Sequence, residues 1–262
     1  GTARLWDPIT GELLQILSVD MHTVWCVDFS PDGTKAFTGG SALLPYYAGA
    51  AKLWDLTTGE AVQSFSRSSF APHSVLQEGH VLSADFSPDG KRLLTGSTDG
   101  LIVRWDIASG RLQDRYDSPN RSHRSAVKSI AFSPDGKLAL TADADDTASL
   151  WDISDGTLLS TLPVRCRLLW CVAFSSDGML AATGGSSEQA FYEGEIKVWS
   201  VNGLDLLRTF WISGPAAAEL PGIVLSIAFS PDRKYVLSGH GDGEALLWDI
   251  GDIAKDRKQG DR

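Results

Sequence analysis

Chemistry needs particular side chains at particular spacings, and the candidates in this chain are five histidines, three cysteines, an acidic run and a glycine-rich turn. The histidines form neither HExxH nor any other paired ligand spacing, and Cys26, Cys166 and Cys171 form no CxxC, so no zinc-type donor set is present. Asp143, Asp145 and Asp146 superficially suggest calcium, but the run lacks the central glycine and terminal glutamate of a calcium loop. The stretch GHGDGE from Gly239 imitates a nucleotide-binding loop, yet it joins two strands rather than a strand and a helix, which makes it a hairpin. Neither GxxxxGKS/T nor GxSxG occurs, and no Ser-His-Asp set can be assembled. The expectation is a protein without catalytic residues, metal or cofactor, and so not an enzyme.

Composition points the same way. The chain has 262 residues, 43% hydrophobic and 21% charged, as in a soluble, well-cored globular protein. Its formal charge of -10 repels a phosphate backbone, so nucleic acid is not an expected partner. No run of eighteen apolar residues exists and GTARLWDPIT is not a signal peptide, so neither a membrane span nor export is expected. Three cysteines cannot all pair, and a reducing, cytoplasmic setting fits them.

Nine tryptophans and 26 glycines raise the question of a repeat. A tryptophan ending a short apolar strand recurs at Trp6, Trp54, Trp105, Trp151, Trp199 and Trp248, at intervals of 48, 51, 46, 48 and 49 residues. Before each tryptophan of a full unit comes an apolar strand ending in Phe-Ser, then a tight turn, a second apolar strand and a Gly-rich turn. The first turn reads FSPDG at Phe29, Phe86 and Phe132, FSSDG at Phe174 and FSPDR at Phe229. Proline sets φ at the second turn position and glycine takes the positive φ that follows, so each is a hairpin. A further turn and a fourth strand, such as LLSTL at Leu158, follow the tryptophan. A four-stranded sheet cannot bury both faces alone, so such units stack, each covering its neighbour.

With Trp-Asp at Trp6, Trp54, Trp105, Trp151 and Trp248 beside those turns, the chain up to about Ile250 closely resembles the tryptophan-aspartate (WD) repeat family of β-propellers, with bacterial-type repeats. Trp199, followed by Ser200, departs from the pattern and loosens one turn. The resemblance implies an all-β propeller: a partial blade over 1–17, units at about 21–66, 73–117, 123–162, 168–211 and 222–250, and a polar tail over 251–262. It also implies a structural tetrad of His, Ser or Thr, Asp and Trp. The third unit carries His123, Thr141, Asp145 and Trp151; the second has Thr95, Asp99 and Trp105, with His80 or His73 as an imperfectly spaced fourth member; the fifth has Ser238, Asp242 and Trp248 without the histidine. The first and fourth units lack the aspartate.

Those two units share something else. Thr38 to Trp54 and Thr183 to Trp199 each span 16 positions where the other units span ten, and both first strands read Trp-Cys-Val. Offsets of 145, 145, 143 and 143 relate Trp25 to Trp170, Trp54 to Trp199, Val81 to Val224 and Trp105 to Trp248, a duplicated block of three units. The strand count is 21, as two, four sets of four, and three. A closed six-bladed ring needs 24 and a seven-bladed one 28, so another chain or a missing segment is expected to supply the rest.

Binding is the expected function, because rigid blades present loops with little ordering cost. In the family the two insertions project from one face. They carry Leu43, Leu44, Pro45, Tyr46 and Tyr47 in one and Phe191, Tyr192 and Glu193 in the other. These are either partner anchors or side chains folded back over the blade ends. Trp211 opens the connection near the C-terminal end as a partner anchor or a blade cap. Trp25 and Trp170 are read as core packing, Cys26 and Cys171 as small core residues, and Arg111, Arg115, Arg121, Arg124 and Lys128 as a solvated loop. The resulting reading is a scaffold for protein partners; the alternative is the sensor or regulatory segment of a larger multidomain signalling protein, protease, kinase or NTPase.

Overall fold

The computed structural model describes residues 1–42, 49–66, 79–117, 125–188, 193–213 and 222–253. Every regular element among them is a strand, and each sheet is an antiparallel meander in chain order. The chain divides into two compact units, 1–127 and 128–262.

The first unit opens with the pair β1 (Thr2–Trp6) and β2 (Leu13–Ser18). Two four-stranded sheets follow: β3 (Met21–Phe29), β4 (Lys35–Ala42), β5 (Gly49–Asp55) and β6 (Ala61–Ser66), then β7 (Val81–Phe86), β8 (Arg92–Ser97), β9 (Leu101–Asp106) and β10 (Leu112–Asp117). The second unit holds β11 (Val127–Phe132), β12 (Leu138–Asp143), β13 (Ala148–Asp152) and β14 (Leu158–Leu162). Next come β15 (Cys166–Phe174), β16 (Leu180–Ser187), β17 (Glu193–Ser200) and β18 (Leu206–Ser213), and finally three strands, β19 (Val224–Phe229), β20 (Tyr235–His240) and β21 (Ala245–Asp249). That is the expected total of 21 among the described residues.

The turn chemistry is local and repeats five times. Ser30, Ser87, Ser133, Ser175 and Ser230 each donate a hydroxyl to the aspartate two residues on, at 2.5 to 2.7 Å. The amide of the residue after that aspartate returns to the serine carbonyl, as Gly33 does at 2.8 Å. Gly33 stands at φ 68°, and Arg233 holds the same left-handed conformation at φ 61° in the one turn without glycine. The aspartate after each tryptophan accepts backbone amides of the following turn: Asp55 takes Thr57 at 2.8 Å, whereas Ser200 takes Gly203 only at 3.4 Å.

Apolar clusters lie between neighbouring sheets within each unit. In the first, Phe37, Leu53 and Phe65 meet Val81, Phe86, Leu93 and Trp105. In the second, Leu140, Leu150 and Leu162 meet Leu169, Val172 and Trp199, while Cys171, Ile196 and Val198 meet Val224, Val236 and Ile250. This double coverage makes stacked sheets stable where one alone is not. The insertions lengthen their own sheets: β4 and β16 run eight residues against six for β8 and β12. Pairing reaches Ser41 with Gly49 and Ser186 with Gly194.

Candidate functional site

In all five full units the indole of the third-strand tryptophan donates to a second-strand hydroxyl. Trp54 meets Thr38 at 2.9 Å, Trp105 meets Thr95 at 2.9 Å and Trp151 meets Thr141 at 3.1 Å. Trp199 meets Thr183 at 3.0 Å and Trp248 meets Ser238 at 2.8 Å. The position two residues after that hydroxyl then separates the units. Ser97 donates to Asp99 at 2.7 Å; Asp143 accepts from Ser149 at 3.0 Å; His240 Nε2 lies 2.8 Å from Ser238 Oγ. Asp145 serves its own turn through Thr147 at 2.7 Å, and Asp242 accepts the Glu244 amide at 3.0 Å. His73 and His123 lie outside the described residues. Burial pushes Asp143 up to about 7, and one of its carboxylate oxygens has no hydrogen-bond partner. Burial likewise lowers the His240 imidazole.

In the two lengthened sheets that position is glycine, Gly40 and Gly185. A Cβ there would stand 1.9 Å from the Thr23 carbonyl oxygen and 2.0 Å from that of Leu168, so the bare backbone lets the first strand close in. The polar link passes instead to a lysine two residues before the tryptophan. Lys197 is buried, pairs with Glu195 and donates to the carbonyls of Val164 and, at 3.2 Å, Arg165. Lys52 reaches Asp20 at 2.8 Å. Each lysine thus ties its third strand to the connection before its first strand, where the tetrad histidine stands in the implied pattern. The signal was in the sequence, since the same position reads Val103, Ser149 and Leu246 elsewhere.

The structure corrects the reading of Trp25 and Trp170 as core. Each is the extra residue of a β-bulge, between Val24 and Cys26 and between Leu169 and Cys171, and a bulge re-aims its side chain. Trp25 is 56% exposed and Trp170 37%. The Lys128 ammonium lies 4.5 Å from the Trp170 ring and donates to the Leu169 carbonyl at 3.0 Å, and burial lowers its pKa. Lys128 is therefore no part of a solvated loop. Cys26 and Cys171 match their expected role: burial pushes the Cys26 thiol up to about 12 and the Cys171 thiol upward too, so neither is a reactive thiolate.

Of the expected partner-facing residues, Leu44, Pro45, Tyr46, Tyr47, Phe191 and Tyr192 lie outside the described residues. Glu193 and Trp211 are brought together. Glu193 pairs with Ser213 and Glu195 with Trp211, so the two carboxylates and the indole occupy one face at the end of β17 and β18 where the insertion attaches. Trp211 is 48% exposed. Among the described residues, no group of three or more His, Cys, Asp or Glu could hold a metal ion, and no helix is long and apolar enough to cross a membrane.

The WD domain, G-beta repeat family model matches residues 11–55, 70–106, 118–152, 156–200 and 216–249, well over half of the chain. The chain is 33% identical over 155 residues to apoptotic protease-activating factor 1 of Rattus norvegicus, a match covering 57% of this chain and 11% of that protein. It is 34% identical over 92 residues to Protein HIR1 of Eremothecium gossypii, covering 31% of this chain and 10% of the relative. It is 30% identical over 131 residues to WD repeat-containing protein VIP3 of Arabidopsis thaliana, covering 48% and 39%. The chain thus spans well under half the length of each of these curated relatives.

Proposed function

This chain belongs to the WD-repeat family, and from that premise we propose that it is a non-catalytic scaffold, in a cytoplasmic setting, that holds protein partners on the loops between its second and third strands. The observation that carries the reading is the half-exposed Trp211 of β18 beside Glu193, the first residue of β17. A large indole held on a rigid strand beside a carboxylate gives a partner apolar area and a polar handle with little side-chain ordering cost.

Completion of the assembly belongs to the same reading. Trp6, Leu14 and Ile16 on the first pair of strands, and Leu237 and Leu247 on the last three, are exposed although the interior sheets bury such residues. Strands from another chain, or from another segment of the same protein, would cover them. The small share that the chain occupies in its relatives favours a second reading, a regulatory segment within a larger multidomain protein.

The test replaces Tyr46, Tyr47, Phe191, Tyr192 and Trp211 with serine. Capture of the protein partners that copurify with the native protein is expected to vanish with the melting temperature nearly unchanged. A large fall in melting temperature would show instead that these side chains are packed structure. Intact mass of the native protein, with the mass of its assembly, separates completion by another chain from completion by a longer polypeptide.

A further inference from the structure

Asn202 precedes Gly203 in the turn between β17 and β18, and it is the one asparagine of the chain followed by glycine. The backbone nitrogen that follows an asparagine can attack its side-chain carbonyl carbon, and glycine leaves that nitrogen unhindered. Two things hold such a reaction back: a hydrogen bond that ties up the attacking amide, and a turn too rigid to bring it to the side chain.

Both restraints are weakened in this turn. In the equivalent turns the carboxylate after the tryptophan accepts the amide at the position of Gly203: Asp7 takes Thr10 at 3.0 Å, Asp55 takes Thr58 at 3.1 Å and Asp106 takes Ser109 at 2.8 Å. These are charge-assisted bonds, the stronger kind. Ser200 stands in place of the aspartate, and its neutral hydroxyl meets the Gly203 amide only at 3.4 Å. The next position repeats the loss. Gly11, Gly59, Gly110 and Gly156 stand there at φ 65° to 76° and donate to the carbonyl of the aspartate at 2.8 or 2.9 Å. In the fourth unit Leu204 holds φ 55°, a conformation that a Cβ disfavours, and among the described residues its amide makes no such bond.

The seven Asp-Gly steps of the chain can in principle form the same cyclic imide and serve as an internal control. Each of their glycine amides donates to a backbone carbonyl, at 2.8 to 3.1 Å. Asn202 is exposed, and among the described residues its side chain makes no hydrogen bond.

We propose that Asn202 is a site of spontaneous covalent modification. The Gly203 nitrogen bonds to the Asn202 side-chain carbonyl carbon, the bond from that carbon to Nδ2 breaks, and the departing nitrogen takes up the amide proton and leaves as ammonia. Water then opens the cyclic imide. Cleavage at the side-chain carbon gives aspartate at position 202, and cleavage at the backbone carbon gives isoaspartate. Isoaspartate routes the backbone through the side chain and adds one carbon to a turn whose ends are paired as Trp199 with Leu206, so it loosens the join between β17 and β18.

The experiment incubates the native protein at mildly alkaline pH, where the attacking amide ionises more readily, and follows the peptide that holds Asn202 by mass. Methylation by an isoaspartyl methyltransferase with labelled S-adenosylmethionine is the second readout. A gain of about 1 Da at position 202, with methyl acceptance there and not at the Asp-Gly steps, is expected. Ser200→Asp, alone or with Leu204→Gly to complete the turn of the other units, should slow the reaction at least about tenfold in the folded protein by restoring the charge-assisted bond. In denaturant the same variants should react as fast as the parent protein, because the turn no longer exists. Asn202→Gln should remove the product. Absence of the mass gain over a period in which the denatured chain converts overturns the proposal. So does an equal rate in the folded Ser200→Asp variant, or faster isoaspartate formation at any Asp-Gly step.

Discussion

The strands β3 and β15 share a sequence plan but not its fate. Val27 and Phe29 of β3 are 65% and 55% exposed; Val172, equivalent to Val27, is 5% exposed. In the second unit β15 lies against the sheet β11–β14, and the Val172 amide even donates to Ser129 Oγ at 3.3 Å. In the first unit the side of β3 turned away from the sheet β7–β10 has only the pair β1–β2 against it. An apolar alternation states what a strand can bury, and the neighbouring sheet decides whether burial happens. The same holds for the lysine links. Lys197 and Lys52 are equivalent, but Lys197 sits in a buried pair with Glu195 while the partner of Lys52, Asp20, is exposed.

The sharpest way to break this comparison is to remove both lysines in turn. Lys197→Met leaves Glu195 buried without its cation and should cost about 3–5 kcal/mol in denaturant unfolding. The double variant with Glu195→Leu should recover most of that loss. Lys52→Met should cost no more than about 1 kcal/mol, because its pair faces water. Equal costs would show that the two links are energetically the same device.

A second contrast is pH-dependent. The first unit has Ser97 where the second has Asp143, whose carboxyl is held at about 7 by burial. A carboxyl with a raised folded-state pKa contributes stability that is fully present below its ordinary value near 4 and lost as pH rises through about 7. Asp143→Asn should therefore flatten the decline in stability between pH 4 and pH 8, a component on the order of 4 kcal/mol. An unchanged pH profile of chemical unfolding would sink the assignment to Asp143.

The smallest effect is expected at the coverage difference itself. Val172→Ala should cost about 1–2 kcal/mol through lost burial and a residual cavity, and Val27→Ala should fall within about 0.5 kcal/mol of the parent protein. If strands from elsewhere cover β3 in the native assembly, the Val27 cost should rise toward the Val172 cost when the unfolding is repeated on that assembly.

Much of the fold was legible because its signals are local. Ser-Pro-Asp-Gly dictates a hairpin wherever it occurs, since proline, the serine hydroxyl and the left-handed residue all act within four positions. The hydroxyl partner of each tryptophan was equally readable from its place on the neighbouring strand. Lys52 and Lys197 were missed as substitutes for the tetrad, although their shared position in the two lengthened units was on view. The exposure of Trp25 and Trp170 was harder to read, since a bulge is a property of two strands in register and an indole in an apolar strand reads as core.

The sequence by itself determined the repeat, the 21 strands, the turns and the duplication of three units, because each rests on residues close together in the chain. Only the tertiary structure decided which equivalent residues became different. Val172 is buried where Val27 is exposed, and Asp143 is held well above the ordinary carboxylate value inside its sheet. Burial and desolvation are set by whatever stacks against a sheet, and residues distant in the chain supply that stacking.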